Sequence, residues 1–225
     1  MNAPAEAAGK VLVVGGGQGI GAAIAADLGE RAVVWTRRQG IDATDPDSLR
    51  RAFADFERAH GAPYALVHSV GDFHEAPLLQ TDAATYRAQF ASNVDSVFHC
   101  LQAVVPSMVA ARRGRVILFA AAGANRHRAM LRAPVYFAAK AAVIQLAISL
   151  AGEVAAAGLT VNVIAPGLIA HPDSHRESQD RLLPRVPAGR LGTPADVLGT
   201  VRYLLGPDAD YVTGQVLTVD GGLQM

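Results

Sequence analysis

Tyr136 and Lys140 stand four residues apart in P-V-Y-F-A-A-K. On a helix, positions i and i+4 share one face, so this spacing brings a phenol next to an ammonium. The ammonium favours phenolate and draws the phenol pKa down from ~10, and proton transfer is most effective when that pKa approaches the working pH. The pair can therefore do proton chemistry if a polar group faces it. The stretch just upstream, Phe119 to Ala124, offers no side-chain hydroxyl or carboxylate.

A second chemistry-bearing stretch is V-G-G-G-Q-G-I-G, Val14 to Gly21. Glycine permits the backbone angles of a tight turn and lets a pyrophosphate approach the main chain closely. A helix starting behind such a turn offers free N–H groups and the positive end of its dipole. Gly15, Gly17, Gln18, Gly19, Ile20 and Gly21 are thus candidate phosphate contacts. A third is W-T-R-R, which ends a second apolar run and contains no acid. A carboxylate there suits the ribose hydroxyls of NAD, whereas arginine accommodates the 2′-phosphate of NADP. Thr36, Arg37 and Arg38 point to NADP(H), Arg37 by its guanidinium fork.

These groups need elements to hold them. Short apolar runs at Val11–Val14, Ala32–Thr36, Ala65–Val70, Val116–Phe119, Thr160–Ile164 and Gln215–Val219 read as strands. Helical spacing covers Ile20–Glu30, Asp45–His60, Ala84–Arg112 with a kink at Pro106, Val135–Ala157 and Pro194–Leu205. Alternating strands and helices imply right-handed crossovers. The fold class is α/β: a single-domain, Rossmann-like, doubly wound parallel sheet with helices on both faces, spanning residues 1–225. Arg37 to Asp45 is too short for the helix that normally follows a second strand, so one edge should be thinner than usual.

The 225 residues suffice for a substantial core. Twenty basic and twenty acidic residues balance, so no global field favours nucleic acid or an anionic membrane. The single cysteine, Cys100, excludes an intramolecular disulfide and fits a reducing compartment. Neither a signal-peptide pattern nor an uncharged membrane span is evident, and no His/Cys cluster has metal-ligand spacing. The expectation is a cytoplasmic protein without a catalytic metal.

The ordered set Gly15, Gly19, Gly21, Asn93, Tyr136, Lys140, Pro166-Gly167 and the terminal V-D-G-G resembles the short-chain dehydrogenase/reductase family over essentially the whole chain. The resemblance implies an oxidoreductase in which Tyr136 is the general acid, Lys140 its tuner and Asn93 the holder of a relay water. It implies further cofactor contacts at Asp42 and Ala43, at Ser69, Val70 and Gly71, at Lys140, and at Pro166, Gly167 and Ile169. It also implies a homotetramer or homodimer.

Four positions depart from the family pattern. Val14 stands where a Thr usually precedes the first glycine, H-S-V-G (His68 to Gly71) replaces N-N-A-G, His171 replaces a Thr, and Ala121 occupies the place of the catalytic Ser. Reduction of C=N rather than C=O need not have the same Ser requirement. H-S-V-G-D-F-H-E-A-P-L is similar to the pteridine reductase pattern, which implies a pterin substrate stacked on Phe73. The alternatives are a small ketone or aldehyde, or a silent NADP(H)-binding sensor. The polar loop from His171 to Val186 should cover the substrate, with His127, Arg128, His171 and His175 as candidate polar contacts.

Overall fold

The computed structural model describes residues 9–170 and 180–225; His171 and His175 lie outside the described residues. Strand β1 (Val11–Val14) leads through the glycine turn into α1 (Gly19–Leu28), and β2 (Ala32–Trp35) follows. A 3-10 turn (Arg37–Gln39) then precedes α2 (Pro46–His60) and β3 (Ala65–His68). Next come α3 (Ala83–Phe90), a π turn (Ala91–Asp95), α4 (Ser96–Ala110), β4 (Gly114–Phe119), α5 (Pro134–Val154) and β5 (Leu159–Pro166). Helix α6 (Pro194–Leu205) and β6 (Val216–Val219) complete the order.

All six strands run parallel in the order β2-β1-β3-β4-β5-β6. Alternate residues of each strand serve opposite faces. Leu12, Val14, Leu66 and Leu118 join Phe53, Val104 and Val143 from α2, α4 and α5. Val11, Val13, Val67 and Ile117 join Ile24, Val201 and Leu204 from α1 and α6. Burial on both faces explains why β1 reads as an unbroken apolar run. Each such side chain, fully buried, contributes roughly 1.5–3 kcal/mol.

Helix starts follow their sequence signals. Asp45 caps α2 by accepting from the Asp47 amide at 2.9 Å. Thr193 and Asp196 form a capping box on α6, with Pro194 in its first turn. Beyond β2 there is only the turn at Arg37–Gln39, so β2 is the sheet edge and that side is indeed thin.

One expected helix differs. The stretch predicted as Ala84–Arg112 is α3 and α4 joined by the π turn, and Pro106 lies inside α4 without ending it. The irregularity centres on Asn93, whose side-chain amide donates to the carbonyls of Gln89 and Asp72, both at 2.9 Å. A widened turn of this kind is rare and recurs at functional sites. Helix α5, with the 3-10 turn that follows it, is long and apolar enough to cross a membrane by length and composition. It packs instead against β4 and β5 with Ala139, Val143 and Ala147 buried, and it carries Tyr136 and Lys140.

Candidate active site

The chain leaves β1 toward β2 on one side and returns to β3 on the other, so the C-terminal ends of β1 and β3 flank a crevice where the strand order reverses. Ligands of open α/β sheets bind at such a switch point. A cleft of about 1180 Å³ lies there. It gathers the glycine turn, Thr36, Arg37, Arg38, Asp42 and Ala43 at one end. Ser69, Val70, Gly71, Pro166, Gly167 and Ile169 line its middle, and Phe73, Ala121, Tyr136 and Lys140 the other end.

The glycine turn is shaped for close approach. Gly15 and Gly19 have φ of 90° and 55°, which side chains on Cβ disfavour. A Cβ at Gly21 would lie 2.4 Å from both the Gly15 carbonyl oxygen and the Ser69 hydroxyl. Arg37 and Arg38 are exposed beside it, and Arg37 is near enough to Asp42 to help hold that carboxyl below its usual range, after the larger effect of Thr44 hydrogen bonds.

At the other end, Lys140 is buried and donates to the Phe119 carbonyl at 3.1 Å. Gly71 makes room beneath it: a Cβ there would lie 2.5 Å from Asn93 Oδ1 and 2.8 Å from Lys140 Nζ. Asn93 does not line the cleft but lies fully buried behind Gly71, and its Oδ1 has no protein partner among the described residues. A buried amide oxygen in that state suits a bound water.

The expected depression of the Tyr136 pKa by Lys140 is not what this arrangement produces. Lys140 Nζ sits 5.7 Å from the centre of the Tyr136 ring rather than on its hydroxyl. Desolvation prevails and pushes Tyr136 up to about 12. The same burial brings Lys140 down to about 8, against the opposing pull of Asp72. Tyr136 is thus a neutral phenol, a proton donor, at every ordinary pH. Phe73 meets its ring edge-on, with centroids 4.9 Å apart.

A family model described as enoyl-(acyl carrier protein) reductase matches residues 16–224. A Mycobacterium bovis protein named 3-oxoacyl-[acyl-carrier-protein] reductase MabA is 35% identical, over 96% of this chain and 93% of that protein. This chain belongs to the short-chain dehydrogenase/reductase family. A Vibrio cholerae 3-oxoacyl-[acyl-carrier-protein] reductase FabG is 32% identical over 96% of this family member and 98% of that protein. The solved structure of a short-chain type dehydrogenase/reductase from Mycobacterium ulcerans superposes with a TM-score of 0.85 at 27% identity, covering 96% and 90% of the two chains.

Some residues at the site carry no motif in this family member. Arg128 lines the cleft and donates to Gln224 near the C-terminus, whereas His127 is exposed and does not line it. Asp72, Glu75, Arg132, Arg181 and Arg185 also line the cleft that holds Tyr136 and Phe73. No motif singled out Glu75 or Arg132, whereas Arg181 falls in the polar stretch from His171 to Val186 that was expected to cover the substrate. Among the described residues, no group of acidic, histidine and cysteine side chains is placed to hold a metal.

Proposed function

We propose that this oxidoreductase is an NADPH-dependent reductase of small polar carbonyl compounds, acting in the cytoplasm as a homotetramer. The observation that carries the reading is Tyr136, a phenol kept protonated by desolvation, on the same helix as a Lys140 anchored by Phe119 and set beside Gly71. The glycine turn suits a dinucleotide pyrophosphate, since Gly15 and Gly19 take positive φ and a Cβ at Gly19 would meet only open space at the start of α1. Arg37 and Arg38 stand where a 2′-phosphate is held, with Asp42 and Ala43 beside them. When bound, the nicotinamide supplies the hydride.

The chain's own residues manage the proton. Tyr136 donates to the carbonyl oxygen as charge develops there, and Lys140 with the Asn93 pocket supports the return of a proton to the phenolate. Ala121 presents a methyl group where the family places its Ser, so one oxyanion donor is missing, a loss typically costing ~10²–10³ in rate. A second reading, a C=N substrate such as a dihydropterin, is favoured by that missing donor and by Phe73, whose ring walls the cleft beside Tyr136.

NADPH oxidation is to be followed with small ketones, aldehydes and dihydropterins, using the wild type and Tyr136→Phe. Carbonyl turnover that falls ~10²–10⁴-fold in Tyr136→Phe is the expected result. Turnover of dihydropterins alone selects the second reading. NADPH binding with no turnover marks a cofactor sensor and overturns both.

A further inference from the structure

We propose that the carbonyl substrate is an oxo acid whose carboxylate is held by Arg132 and Arg181; this rests on the reductase reading above. Glu75 is largely buried, with its side chain 21% exposed, and its Oε1 accepts from Arg132 Nε at 2.6 Å and from Arg181 Nη2 at 2.8 Å. The three groups come from separate parts of the chain, and all line the cleft that holds Tyr136 and Phe73. Together they carry one net positive charge. Arg128 and Arg185 also line the cleft, with no carboxylate partner among the described residues. Asp42 and Asp72 are the other described carboxylates of the lining. The described lining of the cleft is therefore cationic in a chain whose formal net charge is zero.

Partly exposed ion pairs contribute little to stability, so folding energy does not account for this arrangement. A guanidinium carries five donors in a fixed fork. Each arginine gives Glu75 one hydrogen bond and keeps others to offer a carboxylate. Glu75 holds the two forks in place before the substrate arrives, which lowers the ordering cost of binding. The need for such an anchor follows from Ala121. A carbonyl that loses a positioning hydroxyl needs another handle to meet Tyr136 in register, and a carboxylate fixed at a distance supplies one. The balanced reaction is oxo acid plus NADPH plus a proton to hydroxy acid plus NADP⁺, with the carbonyl carbon receiving the hydride and its oxygen the Tyr136 proton.

The test uses 2-, 3- and 4-oxopentanoate, their methyl esters and acetoacetyl-CoA, with NADPH oxidation and calorimetric binding to the NADP⁺-loaded protein as separate readouts. At least one acid should exceed its ester by ~10–100-fold in kcat/KM, mainly through KM, the worth of charge-assisted hydrogen bonds. Arg132→Gln and Arg181→Gln should each bring that ratio toward one, while Arg132→Lys keeps part of it and controls for loss of fold. Esters reduced as well as acids, or better, overturn this inference and leave the reductase reading standing. Acids that bind while esters do not, with no turnover of either, support the anion site and sink the reductase reading. Binding of neither sinks the anion site, as does a preference for acetoacetyl-CoA that the glutamine variants abolish, since the arginines then serve a thioester carrier's phosphates.

Discussion

Tyr136 shows how a residue's chemistry depends on where its neighbours put their charge. Its spacing from Lys140 places the two on one helix face, yet Nζ faces the ring and bonds to the Phe119 carbonyl. Without a charge at the hydroxyl, desolvation decides, and the phenol rises to about 12. At the opposite end of the cleft, Arg37 is exposed and bears on the Asp42 carboxyl. Arg37→Asp removes a charge-assisted contact worth ~10–100-fold and adds repulsion toward a 2′-phosphate. Fluorescence titration should show NADPH binding weakened at least ~10-fold more than NADH binding; equal losses would sink the NADP assignment.

Elements decide what the motifs alone leave open. His68 ends β3 in the place of the family's Asn, fully buried, with its Nε2 lacking a protein partner among the described residues. Burial, aided by the charge of Lys140, lowers its pKa to about 3, against weaker backbone hydrogen bonds at His68 and Ser96. The unfolded chain therefore takes up a proton below about pH 6.5 that the folded chain refuses until about pH 3. Stability is lost as pH falls through that window, by about 1.4 kcal/mol per unit. His68→Asn should remove about 2 kcal/mol of the loss between pH 6.5 and 5, read as urea midpoints at both pH values. Identical pH dependence in the two proteins would show that His68 is protonated without penalty. The π turn is a second case, for it carries Asn93 fully buried against Gly71.

At the scale of the whole molecule, the sheet runs from a thin edge at β2 to β6, with the cleft where its strand order reverses. Helices α4 and α5 cover one face and leave Phe98 and Ile148 exposed, at 46% and 43%. For the proposed tetramer, these two exposed side chains are the first contact to test. Phe98→Glu should lower the mass measured by light scattering below that of the wild type. An unchanged oligomer would place the contact elsewhere.

Sequence alone determined what short-range geometry encodes. The glycine turn, the Tyr136–Lys140 spacing, the missing helix after β2 and the lack of a hydroxyl between Phe119 and Ala124 are all readable within a few residues. Strand-to-helix order was legible for the same reason, since short apolar runs alternate with stretches of helical spacing, whereas strands buried on both faces carry no alternation to say which residue serves which face. Tertiary structure alone decided the protonation of Tyr136, Lys140 and His68, because desolvation depends on everything packed around a group. It also decided that Glu75, Arg132 and Arg181 meet in the lining of the cleft. Their charges act through space, and only the folded chain sets that distance.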